Sequence, residues 1–267
     1  MSDIKKGEPI LAMRGVTKVF GGLTAVKDLY LDLPKGSIQG LIGPNGAGKT
    51  TAFNLITGVI PITSGSIKFE GEHIDGLESY EVTRMGIART FQNIRLFSNL
   101  SVLDNVRIAY HSHAGYSLGD SIVRSKRFEK KEKELTDKAL DFLAIFKLDD
   151  IADELAKNLP YGQQRRVEIA RALACDPRLL LLDEPAAGMN PREILELMDY
   201  IHFIKDRFDL TILLIEHQMR VVMGICEHLT VMDFGEVIAR GTPKEIQSNA
   251  RVVEAYLGKG AGKIAAS

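Results

Sequence analysis

Short apolar runs alternate along this chain with longer segments of helical period. Ser37 to Ile42, Leu179 to Asp183 and Thr211 to Ile215 are rich in aliphatic and β-branched residues, and each leads into such a segment. That order predicts a parallel sheet covered by helices, an α/β fold. Leu179-Leu180-Leu181-Leu182 and Ile212-Leu213-Leu214-Ile215 show no polar alternation, so both faces of each are expected to be buried and the strands central. The N-terminal stretch differs. Ile10 to Phe20 and Val26 to Leu33 read as antiparallel strands joined through Gly21-Gly22, with Ser66 to Phe69 as a further strand. Together they predict a small antiparallel β layer.

From about Ser101 to Ala174 the pattern turns helical, broken by a glycine-containing loop from His111 to Gly119. The expected division is an α/β core from residues 1–92 and 176–267, with 93–175 as an inserted helical subdomain. The segment Arg124 to Lys138 carries seven basic and four acidic residues, which reads as a solvated helix face. After Leu257 the chain is rich in Gly, Ala and Lys and reads as a frayed tail.

Composition narrows the possibilities. With 267 residues, 45% hydrophobic and 26% charged, the chain can bury a core and is neither disordered nor fibrous. Thirty-four basic residues against 35 acidic ones leave a formal charge of -1, which argues against a nucleic-acid partner held by excess positive charge. No stretch approaches the ~18–20 apolar residues of a membrane-spanning helix, and Met1 to Gly7 has no apolar segment of a secretory signal. A cytosolic chain is expected. Cys175 and Cys226 lie far apart in apolar surroundings and read as buried, reduced thiols. His111 and His113 form an H-x-H with no third ligand nearby, which does not make a metal site.

Chemistry concentrates at two places. Gly43-Pro44-Asn45-Gly46-Ala47-Gly48-Lys49-Thr50, running on into Thr51, fits G-x-x-x-x-G-K-[ST] between a strand and a helix, the setting of a P-loop. Glycines let the backbone N–H groups turn toward one anion, and the helix start adds its positive dipole end. Lys49 is expected to reach the β/γ oxygens of a nucleotide and Thr50 to ligate Mg²⁺. Asp183 and Glu184 close a buried strand, where open α/β sheets bind ligands. Asp183 suits the Mg²⁺ shell and Glu184 suits activation of an attacking water. Asn190-Pro191 already supplies the cap and first position of the next helix, leaving both acids for the nucleotide.

Two further elements join these: Leu159-Pro160-Tyr161-Gly162-Gln163-Gln164-Arg165-Arg166 opening a helix, and His217 after a buried strand. The set resembles the ABC ATPase family over almost the whole chain. The resemblance implies a P-loop NTPase core with an inserted signature subdomain, ATP and Mg²⁺ as ligands, and two ATPase chains meeting head to tail. Each ATP then lies between the P-loop of one and the signature of the other, here Tyr161, Gly162 and Gln163 acting in trans. It makes Gln92, within Arg89-Thr90-Phe91-Gln92-Asn93, the lid-loop glutamine that senses Mg²⁺ and water. His217 becomes the switch histidine at the γ-phosphate and Phe20 the aromatic that stacks on adenine. Two departures stand out. Pro160-Tyr161 replaces the Ser-Gly of Leu-Ser-Gly-Gly-Gln, removing a hydroxyl whose bond to a charged group is worth about 1.5–3 kcal/mol, and Asn190 stands where an Asp is common.

Within the family, Gly21-Gly22-Leu23-Thr24-Ala25-Val26, Arg89-Thr90-Phe91-Gln92, Tyr161-Gly162-Gln163-Gln164-Arg165-Arg166, Pro185-Ala186-Ala187-Gly188 and the end Val253 to Gly258 are similar to ATP-binding subunits of branched-chain amino-acid importers. That likeness implies permease subunits, a second ATPase subunit in a heterodimer, with a homodimer as the alternative, an indirect link to a substrate-binding protein, and a peripheral place on the cytoplasmic face of the inner membrane. Urea or amide import and lipopolysaccharide export are the alternative cargoes, and a soluble ATP-dependent regulatory module is the alternative class.

Overall fold

The computed structural model describes residues 8–111 and 126–257. The chain divides into two compact units, Met1–Arg89 with Arg178–Ser267, and Thr90–Pro177. The division falls at the end of one strand and just before another rather than at 92 and 175, because the core strand Ile87–Arg89 closes the first unit.

In the first unit, β1 (Leu11–Phe20) and β2 (Leu23–Leu33) form a hairpin turning at Gly21-Gly22. β4 (Ser64–Phe69) pairs with β1, and β5 (Glu72–His73) with β4, all antiparallel. β2 begins three residues before Val26, at exposed Leu23 and Thr24, and β4 two before Ser66, at exposed Ser64 and Gly65, since strand ends that lie outside the core carry no apolar alternation to mark them. The second sheet runs β10-β9-β3-β8-β7-β6. Its members are β3 (Ile38–Ile42), β6 (Ile87–Arg89), β7 (Leu179–Asp183), β8 (Thr211–Ile215), β9 (His228–Asp233) and β10 (Glu236–Gly241), with β10 alone antiparallel to its neighbour. Every residue of β3, β7 and β8 is buried, as unbroken apolar runs require. Between the sheets, Leu11, Met13, Leu29, Leu41, Phe53, Ile67, Phe69, Leu181 and Leu213 form the core.

Helices α1 (Lys49–Ile56) and α2 (Ser79–Arg84) belong to this unit. The second helical unit contains α3 (Val102–His111), α4 (Lys126–Ile145) and α5 (Tyr161–Leu173). α4 buries Leu135, Ala139 and Leu143 at successive four-residue steps and exposes Lys130, Lys133 and Glu134, so the described part of the charged stretch, from Glu129 on, is a solvated face. The loop expected after His111, with His113, lies outside the described residues. In the first unit again, α6 (Pro191–Phe208) has Asn190 as its N-cap, its side chain accepting from the N–H groups of Arg192 and Glu193. α7 (Met219–Ile225), α8 (Pro243–Gln247) and α9 (Ala250–Leu257) follow. No helix among the described residues is long and apolar enough to cross a membrane. Cys226 is buried and its thiol is pushed up to about 12, chiefly by burial. Cys175, expected to be buried, is partly exposed because it follows α5 at the start of a loop.

Candidate active site

Three parallel strand ends bring the chemistry of the first unit together. β8 lies between β3 and β7, so Ile42 leading into Gly43, Asp183 ending β7, and Ile215 leading into Glu216 emerge side by side. The loop after β3 needs glycine for steric reasons. Gly43 has φ 149°, and a Cβ there would meet the Met232 carbonyl oxygen at 2.0 Å; Gly48 has φ 100°, and its Cβ would lie 2.4 Å from the Ala25 carbonyl oxygen. The turn is fastened by Ala47 N–H donating to Pro44 O at 3.2 Å and Gly235 N–H donating to Ala47 O at 3.0 Å.

Lys49 is buried and its ammonium donates to the carbonyls of Gly43 at 2.7 Å and Pro44 at 2.8 Å. Burial lowers its amine below the ordinary lysine value, while the carboxylates of Glu184 and Asp183 pull the other way. With β8 between β3 and β7, the loop and both acids stand at the same edge of the sheet. Pro44 and Thr51 are half-buried, Ala47 is buried, and Asn45, Gly46 and Thr50 are exposed. A glycine-lined turn, a helix start and one buried ammonium fit phosphate oxygens. A carboxylate and a hydroxyl form an all-oxygen donor set of the kind Mg²⁺ takes together with water and phosphate. Among the described residues no group of three or more His, Cys, Asp or Glu side chains is placed to hold a metal by itself.

Asp183 is 3% exposed. A charge so deep needs a partner, and Arg89 supplies it: its Nη2 lies 2.6 Å from Asp183 Oδ2, its Nη1 donates to Asn54 Oδ1 at 2.6 Å, and its guanidinium stands 5.4 Å from the Phe53 ring centre. Glu184 turns the chain out of β7 with φ 46°, a left-handed backbone costing on the order of 1–3 kcal/mol outside glycine. Its N–H donates to Ile215 O at 2.9 Å, which holds the turn. The Glu184 side chain is mostly buried, and Oε1 sits 3.6 Å from Nδ1 of the half-exposed His217 ring. Phe20, at the end of β1, is 45% exposed with the Lys18 ammonium 4.9 Å from its ring centre, so it is not a core residue.

Sequence patterns do not single out Glu216. It is fully buried; Oε1 accepts from Ala186 N–H at 2.9 Å, and Oε2 from His217 N–H at 3.0 Å and Gln218 N–H at 3.2 Å. Gln218 Nε2 donates to Ala186 O at 3.0 Å.

The remaining predicted residues lie in the second unit. Tyr161 opens α5 behind Pro160, is 41% exposed, and is followed by half-buried Gly162 and Gln163. Gln92 is exposed, and its carbonyl accepts from Arg165 Nη2 at 2.9 Å. Arg165 and Glu168, 0% and 1% exposed, form a 2.6 Å ion pair inside this unit. Arg165 Nη1 also donates to Phe91 O at 2.7 Å and Nη2 to the Tyr161 hydroxyl at 3.1 Å, while Glu168 accepts from the N–H groups of Phe91 and Arg95.

This architecture, a P-loop sheet with an antiparallel layer and a helical insertion, is shared with known proteins. Residues 26–187 match the family described as ABC transporter, and the chain belongs to that family. Residues 236–262 match the family described as branched-chain amino acid ATP-binding cassette transporter. The chain is 43% identical over 252 residues to the high-affinity branched-chain amino acid transport ATP-binding protein LivG of Salmonella typhimurium, covering 94% of this chain and 99% of LivG. It is 42% identical over 251 residues to the corresponding BraF protein of Pseudomonas aeruginosa, covering 94% and 98%. Among solved structures, the ADP conformation of an ATP-binding cassette of an ABC transporter superposes with a TM-score of 0.81 at 34% identity, covering 94% of this chain and 99% of that one.

Proposed function

We propose that this chain is the ATP-hydrolysing motor subunit of an importer for branched-chain amino acids. The observation that carries the hydrolytic reading is the convergence of Lys49, Asp183, Glu184 and His217 at the ends of three adjacent strands. Backbone N–H groups of the loop from Asn45 to Thr51 hold the α and β phosphates, and Phe20 stacks on the base. Lys49 exchanges the carbonyls of Gly43 and Pro44 for phosphate oxygens. Glu184 takes the proton of the attacking water, and His217 donates toward the γ-phosphate. Thr50 and Asp183 would hold Mg²⁺, which supplies positive charge against the phosphate oxygens. From a second ATPase chain, the residues equivalent to Tyr161, Gly162 and Gln163 complete the anion site through N–H groups.

The cargo reading rests on the similarity to LivG and BraF, whose names state branched-chain amino-acid transport. It places the chain peripherally on the cytoplasmic face of the inner membrane with permeases, a second ATPase and, indirectly, a substrate-binding protein. Two measurements test the reading. Glu184→Gln is expected to keep ATP binding and cut turnover at least about a hundredfold; unaltered turnover removes Glu184 from the chemistry. Purification from native membranes, with mass spectrometry of what accompanies the chain, is expected to recover two permeases and a second ATPase that import leucine, isoleucine and valine. A different permease set replaces the cargo and leaves the motor.

A further inference from the structure

We propose that Glu216 is a positioning residue that fixes the distance between Glu184 and His217, an inference that rests on reading those two as the hydrolytic pair. Glu216 is 0% exposed, and among the described residues no cation pairs with it. An isolated carboxylate in such a place is expensive unless hydrogen bonds compensate it. Here the compensation comes only from the loops that follow β7 and β8. One oxygen takes the N–H of Ala186; the other takes those of His217 and Gln218.

Ala186 is gripped at both of its peptide groups, since its carbonyl accepts from the Gln218 side chain. It stands two residues beyond Glu184, whose own carbonyl accepts from Ala187 N–H at 3.1 Å. The two loops are thus strapped together at a point just past each reacting side chain. Pairing of β7 with β8 ends at Asp183 and Ile215, and the last backbone bond between them runs from Glu184 N–H to Ile215 O, so strand hydrogen bonds do not set the geometry of the loops beyond Glu184. An ionised carboxylate is the side chain suited to this strap, because both of its oxygens only accept. Glutamine fills the same volume but turns one acceptor into a donor, which must face an N–H group of one loop or the other.

The test uses the full chain assembled with its permeases. Glu216→Gln is expected to lower kcat for ATP at least about tenfold with KM changed less than about threefold. Amide exchange at Ala186, His217 and Gln218 is expected to accelerate at least about tenfold, with Leu182 and Leu214 unchanged. Full kcat, or a fall in kcat with those three amides still protected, overturns the proposal. Added to His217→Ala, the Glu216→Gln change is expected to cost less than about threefold more; losses that multiply overturn it. If His217→Ala alone leaves turnover intact while Glu216→Gln slows it, the reading of His217 fails and Glu216 acts through Glu184. Should Glu216→Gln not fold, Gln218→Ala removes only the second strap and is expected to lower kcat about two- to fivefold; unchanged kcat there overturns the proposal.

Discussion

Glu216 in the first unit and Glu168 in the second perform the same mechanical task in opposite electrostatic settings. Each is a buried carboxylate that collects backbone N–H groups from loops: Ala186, His217 and Gln218 from two loops in one case, Phe91 and Arg95 from one in the other. Glu168 is neutralised by Arg165 one helical turn away, and Arg165 in turn holds the carbonyls of Phe91 and Gln92. Among the described residues Glu216 has only the N–H groups. The difference teaches where each arrangement is fragile. A buried ion pair fails badly when one partner is lost, because the survivor is a charge without water. A carboxylate held by amides leaves behind neutral donors, each far cheaper to strand.

The largest effect is therefore expected in the helical unit. Arg165→Ala or Glu168→Ala alone should lower the stability of that unit by about 3–5 kcal/mol in urea unfolding, whereas the joint change Arg165→Met with Glu168→Leu should cost far less. Equal losses for the single and joint variants would break the comparison. Glu216→Ala should cost about 1–3 kcal/mol net by the same measurement, since the cost of leaving three amides without an acceptor is offset by no longer burying a carboxylate that, among the described residues, has no cation. A loss as large as that of Glu168→Ala would show that a cation matters less to these sites than argued. Tyr161→Phe removes one neutral acceptor from Arg165, and the expected cost is about 0.5–1.5 kcal/mol with unfolding still cooperative.

Much of the frame was legible in the sequence, for a physical reason. β3, β7 and β8 are buried on both faces, so their residues are apolar without interruption, and the P-loop fixes which strand precedes it. β6 was not legible because three residues, one of them an arginine, carry no period. β9 and β10 carry no familiar hairpin signal, since they turn through Asp233-Phe234-Gly235, in which Phe234 itself adopts φ 44° rather than leaving both turn positions to small residues. In the site, Lys49, Asp183 and Glu184 follow from motif and strand position. Arg89 and Glu216 do not, because each is one polar residue beside an apolar strand, and burial alone distinguishes it from a solvated one. For Glu216 the signal was the apolar run Thr211–Ile215 that it follows, whereas Arg89 had none, since β6 is too short to read. Arg165 and Glu168 mislead further, as opposite charges three apart on a helix ordinarily lie in water.

The order of strands in the parallel sheet also bears on how the chain is made. β3, which carries the P-loop, pairs only with β8 and β9, and both are encoded after the helical insertion. A ribosome adding ~5–20 residues each second reaches Thr211 roughly 8–35 s after Ile42. Through that interval Ile38–Ile42 is an apolar strand with both edges bare, the kind of segment that pairs with whatever is nearby. The nucleotide-binding strand is thus among the first made and the last to be sheltered, and the nascent chain has its longest exposure to chaperones at the segment on which its chemistry depends.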